Sequence, residues 1–261
     1  MATTFEVRIA GEDANFAAQA AHAAFELLDR LEAQLSRFRA DSEIAALATL
    51  QPGESFRLSE PTCACLALAQ EIERQTSGAF SLSATARRAG HAPARWSLDL
   101  ATQRAHVHEG ICALDAGAIG KGFALDRMAV ELREWGCASF LLVAGGSSVL
   151  AGAPPPGAAG WTANLADPEN TAGASISSIV LAHAALGASG LALQGNHITD
   201  PRTGDPATRR RRTWVRADSA AEADAFSTAL MVLDDEGCSA LARARPDLKI
   251  WLTPATTVHV T

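Results

Sequence analysis

The chain of 261 residues contains no tyrosine, and aromatic residues make up only 5% of it. Alanine is abundant alongside, so the gap reflects compositional bias and carries no functional reading. The lack of a basic excess says more. With a formal net charge of −7 at pH 7, the chain has no footprint for nucleic acid, whose binders are normally basic. No apolar run approaches the ~20 residues of a membrane span. The N-terminal Met1-Ala-Thr-Thr-Phe-Glu-Val-Arg has neither the basic nor the apolar segment of an export signal, so a cytoplasmic location is expected. The five cysteines (Cys63, Cys65, Cys112, Cys137, Cys238) are odd in number and set mostly among apolar residues. Cys63-x-Cys65 lacks the two-residue gap of a zinc or redox motif. Reduced, core-filling thiols fit this pattern better than a disulfide framework.

Hydrophobic residues form 48% of the chain and charged ones 20%, as in an ordinary globular protein long enough to bury a substantial core. Alternation at Phe5–Ala10 predicts a strand. Phe16, Ala20, Ala24, Leu27, Leu28, Leu31 and Leu35 then recur at helical spacing, predicting a helix over 14–39. A second helix is expected over 60–75, with Pro61 in its first turn. Residues 77–98 read as irregular. Strands are expected at 105–108, 139–144, 147–151, 161–165, 175–181, 213–216 and 248–252. Helices fit 123–135, closed by Gly136, and 221–234. No regular βαβ beat appears, so the expected class is α+β. The Ala153-Pro-Pro-Pro-Gly stretch reads as a rigid surface loop, and Arg209–Arg212 as a solvated charged face.

Three segments can carry chemistry. Gly117-Ala-Ile-Gly-Lys-Gly122 misses both phosphate-loop spacings: two residues, not four, separate Gly117 from Gly120, and Leu125 stands where a dinucleotide fingerprint needs glycine. A glycine-rich turn with Lys121 ahead of a helix still suits an anion, though small residues also suit close packing. Asp224 and Thr228 lie four apart on a predicted helix and share a face, offering two hard oxygens that suit Mg²⁺ better than zinc. The plainer alternative has Asp224 complementing the helix dipole and Thr228 bonding back to the Asp224 carbonyl. His197-Ile-Thr-Asp-Pro-Arg-Thr-Gly204 puts an imidazole, a carboxylate and a guanidinium in one turn stiffened by Pro201. Alone, it equally describes a polar turn in which Asp200 caps its own backbone.

Their order along the chain adds what each lacks alone. Leu31–Leu47, Leu114–Arg127, Val143-Ala-Gly-Gly146, Ala185–Gly190, His197–Pro206 and Ala223–Leu230 together resemble the ApbE family, whose members are FAD:protein FMN transferases. The resemblance covers most of the chain. It implies a single flavin-transferase domain over 1–261, with T-fold-like mixed sheets, packed helices and two intimately associated halves. It also implies cleavage of FAD with Mg²⁺, release of AMP, and attachment of FMN by a phosphoester to a Thr or Ser of an acceptor protein. By this resemblance Asp224, Thr228 and the Ala118 carbonyl bind the metal, and Lys121 with Gly117 and Gly122 faces the FAD phosphates. His197 serves as base for the acceptor hydroxyl, with Asp200 beside it in the catalytic turn. Arg202, Thr203 and Gly204 shape the flavin pocket with Ser189 and Gly190, while Ser42, Gly145 and Gly146 complete the FAD site.

The chain departs from the family pattern at several points. Ser81 stands where an Asp is usual in Gly78-Ala-Phe-Ser-Leu-Ser83, Ala48 replaces an Asn, and Ser147 replaces an Asp or Asn. The stretch between Gly190 and His197 is also short. Two alternatives to transfer therefore stay open: FAD binding without transfer, and FAD hydrolysis to FMN and AMP.

Overall fold

The structure, a computed structural model, describes residues 3–90, 92, 94–165, 177–190 and 198–254. The alternating N-terminal segment forms β1 (Phe5–Ile9). Asp13 then caps α1 (Ala14–Leu35) by accepting the N–H groups of Asn15 and Phe16, two of the donors a helix start leaves open. The helix buries Ala20, Ala24, Leu28, Leu31 and Leu35 of its predicted stripe, leaves Phe16 exposed and Leu27 half-buried, and ends at Leu35, four residues short of the expected end. Ser36 turns to an extended backbone, and Arg37 leaves the helix to pair with Asp115. Short helix α2 (Glu43–Leu47) follows, then β2 (Ser55–Arg57) and α3 (Glu60–Gln75) with Pro61 in its first turn. The region read as irregular holds α4 (Ala84–Arg88) and β3 (Arg95–Asp99). The strand escapes composition-based reading because its partner β4 (Arg104–Glu109) supplies the pairing. A three-stranded sheet of order β2-β4-β3 results.

Helix α5 (Gly120–Glu134) starts three residues earlier than expected, so Lys121 and Gly122 belong to its first turn. Then come β5 (Phe140–Ala144), β6 (Ser148–Ala151), β7 (Trp161–Leu165), β8 (Ser177–Leu181), β9 (Ala184–Gly190) and β10 (Arg210–Ala217). Helices α6 (Ala220–Val232) and α7 (Asp235–Ala244) precede β11 (Lys249–Pro254). Six strands join in the order β1-β5-β6-β9-β10-β11, and β7 pairs with β8 separately. Every pair is antiparallel, giving the α+β class. Strand β9 was not foreseen because Ala-Ala-Leu-Gly-Ala-Ser-Gly has no β-branched residue. The four arginines are not a solvated run: Arg210 is 3% exposed and donates to the Leu233 carbonyl and to Asp235.

Strand alternation divides the core. Phe140, Leu142 and Ala144 of β5 face the main cluster with α1, α5 and α6, while Leu141 and Val143 face a smaller cluster beneath the β7–β8 hairpin. Burying a Leu or Phe of this kind contributes about 1.5–3 kcal/mol. Helix α6 is buried nearly all round, as expected for an element wedged between a sheet and other helices. The five cysteines are free and buried. Burial pushes the Cys65 thiol up to about 12 and Cys112 to about 11, so these two are inert core residues.

Asp126 on α5 seats the start of α6. Its carboxylate accepts the N–H groups of Ala220 and Ala221, at 2.8 and 2.9 Å, and the Ser219 hydroxyl at 2.7 Å. Burial raises its pKa despite those bonds, with the Glu222 charge adding to the rise. A carboxyl whose folded pKa lies above its unfolded one contributes stability at low pH and loses it as pH climbs through the folded value. Asp126→Asn is therefore expected to flatten the fall in stability between the ordinary aspartate range and that raised value. Urea melts of both proteins across that window measure it, and parallel pH profiles would refute the assignment.

Candidate functional site

Helix α6 brings the Asp224 carboxylate, 2% exposed, to the sheet ends beside the start of α5. Ser148 donates to Oδ1 at 3.0 Å. The Gly122 N–H donates to Oδ2 at 3.3 Å, and Lys121 Nζ lies 3.3 Å from the same oxygen. A buried carboxylate persists only with such partners. One turn on, the Thr228 hydroxyl donates back to the Asp224 carbonyl at 3.2 Å and lies 3.0 Å from Ser189 Oγ. Ser189 also meets Ser227 at 2.8 Å. The plain structural bonds and the proposed ligand positions thus coincide in the same side chains.

Gly122 is required by packing. A Cβ there would lie 2.1 Å from the Ala220 carbonyl oxygen, so only glycine lets α5 and α6 approach closely enough for these contacts. Lys121 Nζ reaches the Gly117 carbonyl at 3.5 Å. Asp115, overlooked in the sequence, organises that turn: it accepts the Gly117 N–H at 2.9 Å, the Thr85 hydroxyl at 2.7 Å and Arg37 Nε at 2.9 Å. Asp two residues before a turn N–H is a recognisable Asx signal, whereas buried Ser148 leaves no trace in sequence. Among the described residues no three His, Cys, Asp or Glu side chains cluster as metal ligands. The Asp224 carboxylate and Thr228 hydroxyl border the same cleft as Gly117 and Ala118, and hard oxygens of this kind suit Mg²⁺.

These groups line one side of a cleft of about 730 Å³. Ala118, Gly117, Lys121, Gly145, Gly146, Ser189 and Gly190 of the expected site all border it, together with Asp224 and Thr228. Leu35, Phe80 and Ile198 give it apolar walls, and Arg37 stacks its guanidinium 4.1 Å from the centre of the exposed Phe38 ring at its edge. Ser81 and Ser147, two of the family departures, border it as well. Ser42 does not. It caps α2 by accepting the Ala45 N–H at 3.0 Å, and Ala48 closes the same helix.

His197 lies outside the described residues. The rest of its turn forms a small hairpin closed by a Thr199–Pro206 bridge, with Thr199 and Pro201 on the cleft. Gly204 takes φ +86° and donates to the Asp200 carbonyl at 2.7 Å. Asp200 accepts the Arg202 backbone N–H and both Nε and Nη2 of its guanidinium at 2.7–2.9 Å. Burial would raise the Asp200 pKa, but the Arg202 bonds and the charges of Arg202 and Arg209 hold it below the usual carboxylate range. A carboxylate so stabilised is a weak base, and the bonds it makes hold its own turn. Arg202 and Thr203 are not among the cleft-lining residues. Arg202 packs instead against Gly78, where a Cβ would lie 3.4 Å from its Cγ.

A family model described as the ApbE family matches residues 1–252. A FAD:protein FMN transferase of Klebsiella pneumoniae (strain 342) is 27% identical over 161 residues, 54% of this chain and 46% of that protein, so the match spans less than half of the relative's length. Among solved structures, the flavin transferase ApbE of Vibrio cholerae superposes with a TM-score of 0.82 at 21% identity, covering 97% of this chain and 94% of the other. The ApbE protein of Thermotoga maritima gives 0.79 at 23% identity, covering 98% and 97%. At such identities the structural likeness establishes the fold, and the family match extends over nearly the whole sequence. The chain belongs to the ApbE family.

Proposed function

We propose that this chain acts as one Mg²⁺-dependent FAD:protein FMN transferase domain. The observation that carries this reading is the convergence of Asp224, Thr228, Lys121 and the Gly117–Ala118 turn at one wall of a cleft of about 730 Å³. Asp224, Thr228 and the Ala118 carbonyl would hold Mg²⁺, which when bound offsets the pyrophosphate charge. Lys121 supplies an ammonium beside it, and the positive end of the α5 dipole favours the same anion. The apolar walls lower the local dielectric beside these groups, which strengthens each of these charge interactions.

The acceptor hydroxyl oxygen bonds to the FMN phosphorus as the bridging bond to AMP breaks, and AMP departs with the bridging oxygen. His197 takes the hydroxyl proton. Asp200 and Arg202 stiffen the turn that carries it. His197→Ala is expected to slow transfer by about 10²–10⁴-fold, the usual contribution of a positioned base, with FAD affinity nearly unchanged. Loss of FAD affinity alone would make His197 a binding residue.

A second reading rests on Ser81 and Ser147, which border the cleft where the family carries acidic or amide side chains. It holds that the chain binds or hydrolyses FAD without transfer. Incubation with FAD and Mg²⁺, with and without a flavin-acceptor domain, separates the two. AMP with covalent flavin on the acceptor supports transfer, AMP with free FMN supports hydrolysis, and FAD retained without turnover supports binding alone.

A further inference from the structure

Successive side chains of a strand point to opposite faces, so three consecutive residues border one cavity together only where the cavity meets the strand's edge. Thr162, Ala163 and Asn164 of β7 do so, bordering a second cavity of about 320 Å³. Among the described residues β7 pairs only with β8. Its other edge borders this cavity, with no strand paired to it among the described residues. The floor is the far face of the six-stranded sheet, with Val143, Val149, Leu186 and Trp214. Glu6, Arg8 and Arg212 add a charged rim to this apolar floor, and a trough beside a strand edge has the form that receives an extended peptide by strand addition.

The trough opens into the flavin cleft. Gly146, Ser147, Ala188 and Arg212 border both cavities, so the two meet at the β5–β6 turn and the ends of β9 and β10. We propose that this trough seats the extended segment of the acceptor protein that carries the target Thr or Ser, laid along the free edge of β7. The inference rests on the transferase reading above. On that reading FAD takes up space in the cleft, and in-line displacement needs the nucleophile opposite the departing AMP. A second entry answers both needs, delivering the hydroxyl past Gly146 and Ser147. Alternate acceptor side chains then face the apolar floor, so the segment should carry small or apolar residues at every second position. Water reaches the phosphorus through the main cleft and needs no trough.

Val149→Trp fills the floor and Asn164→Trp crowds the edge, and neither residue borders the flavin cleft. The assay uses wild-type protein, both variants, and an acceptor domain with a single target Thr that the wild type modifies. Each variant is expected to raise the acceptor KM about tenfold, a factor worth roughly 1.4 kcal/mol. The FAD dissociation constant, read by flavin fluorescence, should stay within about twofold, well inside that factor. Amide exchange at 162–164 should slow only when acceptor is added. Unchanged acceptor KM in Asn164→Trp, with no exchange protection, overturns the trough. So does a matching loss of FAD affinity, which would make the trough part of the cleft. An altered oligomeric state explaining the KM change would seat a second copy there instead. A wild type that binds FAD but modifies no acceptor overturns the transferase reading, and this inference with it. If Val149→Trp fails to fold, Asn164→Trp and the exchange measurement decide.

Discussion

Replacing Asp224 with Ala is expected to lower Mg²⁺-dependent AMP release from FAD by roughly 10³-fold, the scale of removing a main electrostatic element from an active site. Two carboxylates border the cleft, Asp224 and Asp115; Asp115 is engaged by Arg37, Thr85 and the Gly117 N–H, and Thr228 and a backbone carbonyl contribute no net charge. Removal of Asp224 also leaves the Lys121 ammonium, 23% exposed, without its nearest anion. Stability will therefore fall too, and the comparison needs Asp224→Asn, which keeps the shape and the bond from Ser148 while removing the charge. The Asn variant should fold, bind FAD and fail to turn over. Thermal melts give an independent check, because a ligand that binds the native state raises its stability by RT ln(1 + [L]/Kd). Mg²⁺ should raise the wild-type melting temperature and leave that of Asp224→Asn unmoved. Unchanged turnover in Asp224→Asn would remove this residue from the metal role.

Gly122→Ala should be one of the most disruptive single methyls in the molecule's centre, matched by Gly187, where a Cβ would stand 2.3 Å from Ala223 backbone atoms. At Gly122 a Cβ would stand 2.1 Å from Ala220 O and 2.7 Å from the Ala221 Cα, and backbone atoms cannot swing aside as side chains do. Accommodating it means parting α5 from α6, a cost of about 3 kcal/mol by the upper range for overpacking. The same displacement lengthens the Gly122 N–H contact to Asp224 and moves the Lys121 side chain from its carboxylate. Chemical denaturation of Gly122→Ala should show the stability loss, and FAD turnover should fall even where the protein remains folded. A Gly136→Ala control separates close packing from glycine content: Gly136 has φ +83° but no heavy atom within 4 Å of an added Cβ. Equal losses in both variants would refute the close-approach argument for Gly122.

How far the site was legible follows from the range of each determinant. Asp224 and Thr228 were readable because helical spacing is local, and placing both on one face needs nothing beyond the next turn. The Asp200 turn was readable for the same reason, since Pro201 and Gly204 act within a few residues. Asp115 was not read, although its Asx bond to Gly117 is equally local, because its other partners, Arg37 and Thr85, come from distant parts of the chain. Ser42 was placed at the flavin site because it lies within a family motif, and its role as the α2 cap needed coordinates. The charge run at 209–212 was misread because a buried partner for Arg210, the Leu233 carbonyl, lies 23 residues on.

By itself the sequence determined the secondary structure of the long periodic segments, the α+β class, the reduced state expected of the cysteines, and the family. These depend on local period, composition and motif order. Only the tertiary structure decided that Lys121, Gly122, Ser148 and Asp224 meet around one carboxylate, that the Asp200 carboxylate is locked by Arg202, and that the edge of β7 borders a trough joined to the cleft. Each of these is a contact between segments far apart in the chain, set by how the sheet and its helices pack. The missing tyrosine leaves no mark on the contacts around Asp224, which are made by Lys121, the Ser148 hydroxyl and a backbone N–H.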